Sequence, residues 1–159
     1  IHEKYNETVN LGVLSHGKII YLDVIESRQR LRVTVPITIQ DNVHATALGK
    51  AILSAMPTEL ALETINEADL SKRTENTLVT RQELLDATKK GKEMGYAIDN
   101  EEDEIGFRCV AVPILNSKNF PVAAISITAP TSRISMEDFA QMGDYLKKVC
   151  NALRKTIPN

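Results

Sequence analysis

The chain has 159 residues, 43% hydrophobic and 25% charged, with a net charge of −2. This composition argues against intrinsic disorder, and the length suits one domain that buries roughly two-thirds of its unfolded surface. The slight negative charge argues against a nucleic-acid-binding face, which needs concentrated positive charge. No apolar run approaches the ~20 residues of a membrane-spanning helix, and the opening IHEKYNETVN lacks a signal-peptide pattern, so the cytoplasm is the expected compartment. The chain opens on Ile1 rather than Met, so a fragment or a partly ordered chain is expected. Cys109 and Cys150 form no C-x-x-C pair. With only His2, His16 and His44 to add, no structural zinc site and no metal or cofactor is expected.

Three strand-like runs come first: Val9, Leu11 and Val13; Ile20, Leu22 and Val24; Leu31, Val33 and Val35. Each alternates with polar residues, the pattern of antiparallel strands covered on one face. Ser15-His16-Gly17-Lys18 reads as the hairpin turn between the first two, and Pro36 ends the third.

Helices fill the middle. Residues 46–56 are rich in Ala, Leu, Ile and Met and stop at Pro57, and a short helix follows at 58–66. Thr80 and Glu83 make a capping box for a helix running to Met94 and ending at Gly95, with Leu84, Leu85, Thr88, Gly91 and Met94 inward.

Strands return at 96–99, 107–115 and 120–128, the last two joined by the turn Asn116–Asn119. Cys109-Val110-Ala111-Val112 is apolar on both faces and reads as a central, doubly covered strand. Ser135 and Asp138 make a second capping box. The helix behind it places Phe139, Met142, Leu146, Val149, Cys150, Leu153 and Ile157 on one stripe. Glu137 and Asp138 at its start, with Lys147, Lys148, Arg154 and Lys155 towards its end, would complement the helix dipole. The order βββ–ααα–βββ–α predicts an α+β domain spanning 1–159. Its central six-stranded antiparallel or mixed sheet would be flanked by helices, as in an α/β sandwich.

Four features bear on chemistry. The helix starting near Thr46 leaves amides of about residues 46–49 without partners beside small side chains; they can receive a carboxylate or belong to a capped core helix. Asp99 closes a strand at the sheet edge. The following Glu101, Asp103 and Glu104 read as a solvated loop, and Glu102 as structural, paired with Arg108 or Arg81. Cys109 is either a small core hydrophobe or part of a site, but no histidine is tied to it as the base a thiolate would need. Ser126 and Thr128 alternate with Ile125 and Ile127. If buried, their hydroxyls need partners from a ligand, backbone carbonyls or water. No G-x-S-x-G, G-x-G-x-x-G or G-x-x-x-x-G-K-[ST] segment occurs.

Three segments, HATALGKAILSAMP at 44–57, GYAIDNEEDEIGFRCVAVPI at 95–114 and AAISITAP at 123–130, resemble the effector-binding domain of the IclR family of bacterial transcription regulators. The resemblance runs from about Val9 to Ile157. It implies a GAF/PAS-like fold, no enzymatic activity, and an effector pocket bordered by Ala47, Leu48, Asp99, Cys109, Ser126 and Thr128. There Cys109 stands in the family's G-x-x-C-x-A, here Gly106 to Ala111. It further implies a small carboxylate or sugar-acid effector, a homodimer or tetramer, and DNA contacted only through an N-terminal winged helix-turn-helix outside this chain. Ala47-Leu48 is bulkier than the Gly-Ala of members that sense very small keto acids, so Leu48 either narrows the pocket or repacks. The stretches at 73–85 and 98–109 look closest to sugar-acid sensors. A small Cys- or Ser-dependent GAF-type enzyme and a dimerisation module with a vestigial pocket are the alternatives.

Overall fold

The computed structural model describes residues 1–37, 39–154 and 156–157. After a four-residue helix, α1 (His2–Tyr5), the hairpin forms as its sequence demands: β1 (Thr8–Ser15) turns into β2 (Lys18–Ile25). His16 and Gly17 both take positive φ, 49° and 73°. Two positive φ values in a two-residue loop match the right-handed twist of the flanking strands. β3 (Gln40–Asn42) pairs with the start of β2. β4 (Ala97–Asn100), β5 (Phe107–Leu115) and β6 (Pro121–Pro130) complete one antiparallel sheet in the order β3-β2-β1-β6-β5-β4.

Helices cover both faces. On one, α5 (Met136–Leu153) lays Phe139, Met142, Leu146 and Cys150 against Val9, Val110, Val112 and Ile127. On the other, α2 (Ala47–Ala55) packs Ala47, Leu48, Ala51 and Ile52 over Ile19, Tyr21, Ala97, Ala111 and Ala124. Behind α2, α3 (Thr58–Glu67) and α4 (Arg81–Met94) enclose a third cluster around Leu53, Ile65 and Leu84. Both capping boxes form, at Thr80/Glu83 and Ser135/Asp138, and Gly95 closes α4 in the left-handed region.

Several expectations need correction. Residues 31–35 form no strand; the third strand is the short polar Gln40–Asn42. The alternation of Val33 and Val35 with exposed Arg32 and Thr34 belongs to a loop laid over a cavity. The Val33 carbonyl accepts from the Thr8 hydroxyl at 3.1 Å instead of from a strand ladder. In β2 the covered residues are Ile19 and Tyr21, whereas Leu22 is 52% exposed. The register shifts between Leu11 and Gly12, which pair with Asp23 and Tyr21 respectively, leaving Leu22 as a bulge. The polar face of β1 is not open: Thr8 and Asn10 are buried. At the end of α5, Lys147 and Lys148 stand short of the last turn, Lys147 donating to the Met94 carbonyl at 3.0 Å. Lys155 lies outside the described residues.

Candidate functional site

The site begins at the N-terminus of α2. Thr46 caps it, its hydroxyl accepting from the Gly49 amide at 3.1 Å. The amides of Ala47 and Leu48 are left without partners among the described residues. Gly49 is required here: a Cβ would fall on the Val43 carbonyl, closer than side chains ever approach backbone. The absent side chain seats the helix end against the buried stretch 41–46.

That helix end faces a cavity of about 60 Å³. All six residues singled out in the sequence, Ala47, Leu48, Asp99, Cys109, Ser126 and Thr128, line it. Register explains the convergence: Ser126 lies opposite Ala111 and Asn10, while Thr128 lies opposite Cys109 and Thr8. One face of three adjacent strands therefore presents these side chains together. Cys109 Sγ lies 3.1 Å from Thr128 Oγ1.

Sequence reasoning missed Asn10, Tyr21 and Asp41, which also line the cavity. Asn10 Nδ2 donates to Ser126 Oγ at 3.0 Å and to Thr128 Oγ1 at 3.1 Å, while its Oδ1 is buried with no partner. Tyr21 donates to Asp41 Oδ2 at 2.8 Å. A lone amide in the apolar run of β1 was the available signal, but only the β1–β6 pairing gives it meaning.

The acidic loop is not simply solvated. Asp103 and Glu104 reach the cavity, Asp103 pairing with Arg73, and Glu101 accepts from the Gly106 amide at 2.8 Å. Glu102 pairs with neither Arg108 nor Arg81; its partner is Lys50 of α2, in a buried ion pair. Arg108 instead reaches Asn100 and Glu101, and Arg81 the Asn66 carbonyl. Glu102 also donates its amide to Asp99 Oδ1 at 2.7 Å, and its carbonyl accepts from Thr77 at 2.7 Å.

Burial, the negative charges of Glu102 and Asp103, and only partial relief from Lys50 push the Asp99 carboxyl up to about 7. Burial and Asp41 raise Asp103 to about 6. Burial and neighbouring Asp99 drive the Cys109 thiol well above its ordinary value, the reverse of an activated nucleophile. The histidines are engaged elsewhere: His2 at the Glu7 carbonyl, His16 at Ser15 and His44 at the Ser71 carbonyl.

A curled antiparallel sheet between helices, with a small cavity of mixed lining at one helix end, is the architecture of a ligand-sensing regulatory domain. The family described as the bacterial transcriptional regulator IclR C-terminal domain matches residues 1–155, and the chain belongs to it. The regulator KdgR of Escherichia coli K-12 is 32% identical over 149 residues, covering 94% of this chain and 56% of that protein. The chain spans about half the length of the curated relatives it matches. The Thermotoga maritima IclR structure superposes with a TM-score of 0.92 at 29% identity, covering 99% of this chain and 64% of that one. The inducer-binding domain of an Acinetobacter PobR double mutant, in complex with 3-hydroxybenzoic acid, gives 0.83 at 25% identity, covering 98% and 92%.

Proposed function

We propose that the cavity is an effector site for a small organic acid, with Ala47, Leu48, Asp99, Cys109, Ser126 and Thr128 as its contacts. One observation carries the reading: unpartnered amides at the start of α2 and the hydroxyls of Ser126 and Thr128 meet in one cavity. A carboxylate placed there takes hydrogen bonds from both, at the positive end of the helix dipole. The complex of a PobR inducer-binding domain with a hydroxylated carboxylic acid supports the choice of ligand class.

In the full-length regulator, an N-terminal winged helix-turn-helix would contact DNA in the cytoplasm. The effector acts by favouring one arrangement of a homodimer or tetramer over another. Among the described residues, no helix is long and apolar enough to cross a membrane.

A thermal-shift screen against small carboxylates tests the proposal. A ligand at 100 times its Kd stabilises by about 2.7 kcal/mol, and Ser126→Ala is expected to lose most of that gain. A screen without hits would leave a dimerisation module with a vestigial pocket.

A further inference from the structure

The hydrogen-bond directions around Asn10 say more about the occupant. The side chain is 2% exposed, and its two N–H groups are spent on the Ser126 and Thr128 oxygens. Ser126 Oγ, having accepted from Asn10, keeps its own proton to donate, while Thr128 Oγ1 also contacts Cys109 Sγ at 3.1 Å, where either atom can be the donor. The Asn10 Oδ1 is left as a buried acceptor with nothing to accept from. A native fold rarely leaves such an atom orphaned unless a ligand or water completes it.

The rest of the lining repeats the demand. Asp41, Asp99, Asp103 and Glu104 add carboxyl groups, whereas the cations beside this wall, Lys50 paired with Glu102 and Arg73 paired with Asp103, do not line the cavity. The Tyr21 hydroxyl is already committed to Asp41. The wall therefore has a donor end, made by α2 and the strand hydroxyls, with the Asn10 acceptor beside those hydroxyls and carboxyl groups elsewhere in the lining.

Resting on the acid-sensor reading above, we infer that the cavity selects a short hydroxy monocarboxylate over the corresponding keto acid, with Asn10 reading the hydroxyl. The carboxylate occupies the donor end, and the neighbouring hydroxyl donates to Asn10 Oδ1. A keto oxygen at that position would face another carbonyl oxygen and leave the acceptor unpaired. A second carboxylate would meet the acid side chains of the lining and be repelled. The small cavity, about 60 Å³, favours a short acid over a long one.

Isothermal titration of the chain with D-lactate, L-lactate, D-glycerate and pyruvate tests this. Pyruvate is the keto probe because glyoxylate hydrates in water and would present hydroxyls. At least one hydroxy acid is expected to bind about tenfold or more tighter than pyruvate, since a buried acceptor discriminates strongly against a ligand that cannot satisfy it. Asn10→Ala should bring that ratio to within about twofold, while Ser126→Ala should weaken both classes together. Circular dichroism melts confirm that each variant is folded, and the wild-type ratio needs no variant.

Equal binding of lactate and pyruvate, or tighter binding of pyruvate as an amide turned through 180° would produce, overturns the role of Asn10 and leaves the acid sensor standing. Absence of binding by all four, together with a blank carboxylate screen, overturns both.

Discussion

Asp99 is held almost wholly out of water, with Lys50, Glu102, Asp103 and Cys109 as its charged or titratable neighbours. Its carboxyl titrates near 3.8 in an ordinary setting and near 7 in the fold. The folded chain therefore keeps a proton that the unfolded chain releases between those values. The stability from this group is complete below about pH 4 and is lost as pH rises through about 7. Asp103 acts in the same direction up to about pH 6. Burial holds His44 below its ordinary value and acts the opposite way, so the measure is a difference: Asp99→Asn, which still accepts from the Glu102 amide, should lose less urea stability than wild type from pH 4.5 to 7.5. A pH profile unchanged by the substitution would refute the assignment. Asp99, Cys109, Ser126 and Thr128 stood out as polar or reactive groups in apolar strands, but only the family resemblance pointed them to a pocket. Asn10, Tyr21 and Asp41 were not, because their meaning depends on the strands beside them. Lys50 gave a signal in retrospect, as a charge inside a helix whose residues 47–54 are all buried. Its partner lies 52 residues away, a distance local reasoning does not span.

Among the elements, α2 is the most constrained. Its Lys50 enters the core to meet Glu102, and removing one partner of a buried ion pair costs about 3–5 kcal/mol because the other charge is stranded. Lys50→Met is expected to lose stability in that range by urea denaturation. Adding Glu102→Gln, which keeps an acceptor for the Asn100 amide at 3.2 Å, should restore much of it. Gly49→Ala is expected to push the helix end off Val43, lowering stability by about 1–3 kcal/mol and blunting any effector-induced thermal shift. A variant as stable as wild type would show that the helix end can slide. The helices were readable because their stop and start signals act within a few residues: Pro57, Gly95 and the two capping boxes. The run at 31–35 misled because a chain crossing a cavity mouth also turns alternate residues inward, so its period of two carried no strand partner. β3 escaped notice because three polar residues carry no periodicity.

Across the whole molecule, the sheet serves two compartments at once. Ile127 packs into the α5 cluster while its neighbours Ser126 and Thr128 face the cavity, so neither can be rebuilt without touching the other. The overall order was readable from composition and turn chemistry, whereas the placement of Glu102 among α2, the residues around Thr77 and β4 required tertiary contact. The bulge at Leu22 has its own consequence at this scale. β3 pairs only with residues 18–20 of β2, leaving 21–25 as a bare margin, and the extra residue there breaks its regular spacing of donors and acceptors. At the opposite margin, β5 runs past the pairing with β4, and Pro113 removes a donor from that stretch. Neither rim offers a continuous template for a foreign backbone, which disfavours aggregation by strand pairing from sheet to sheet.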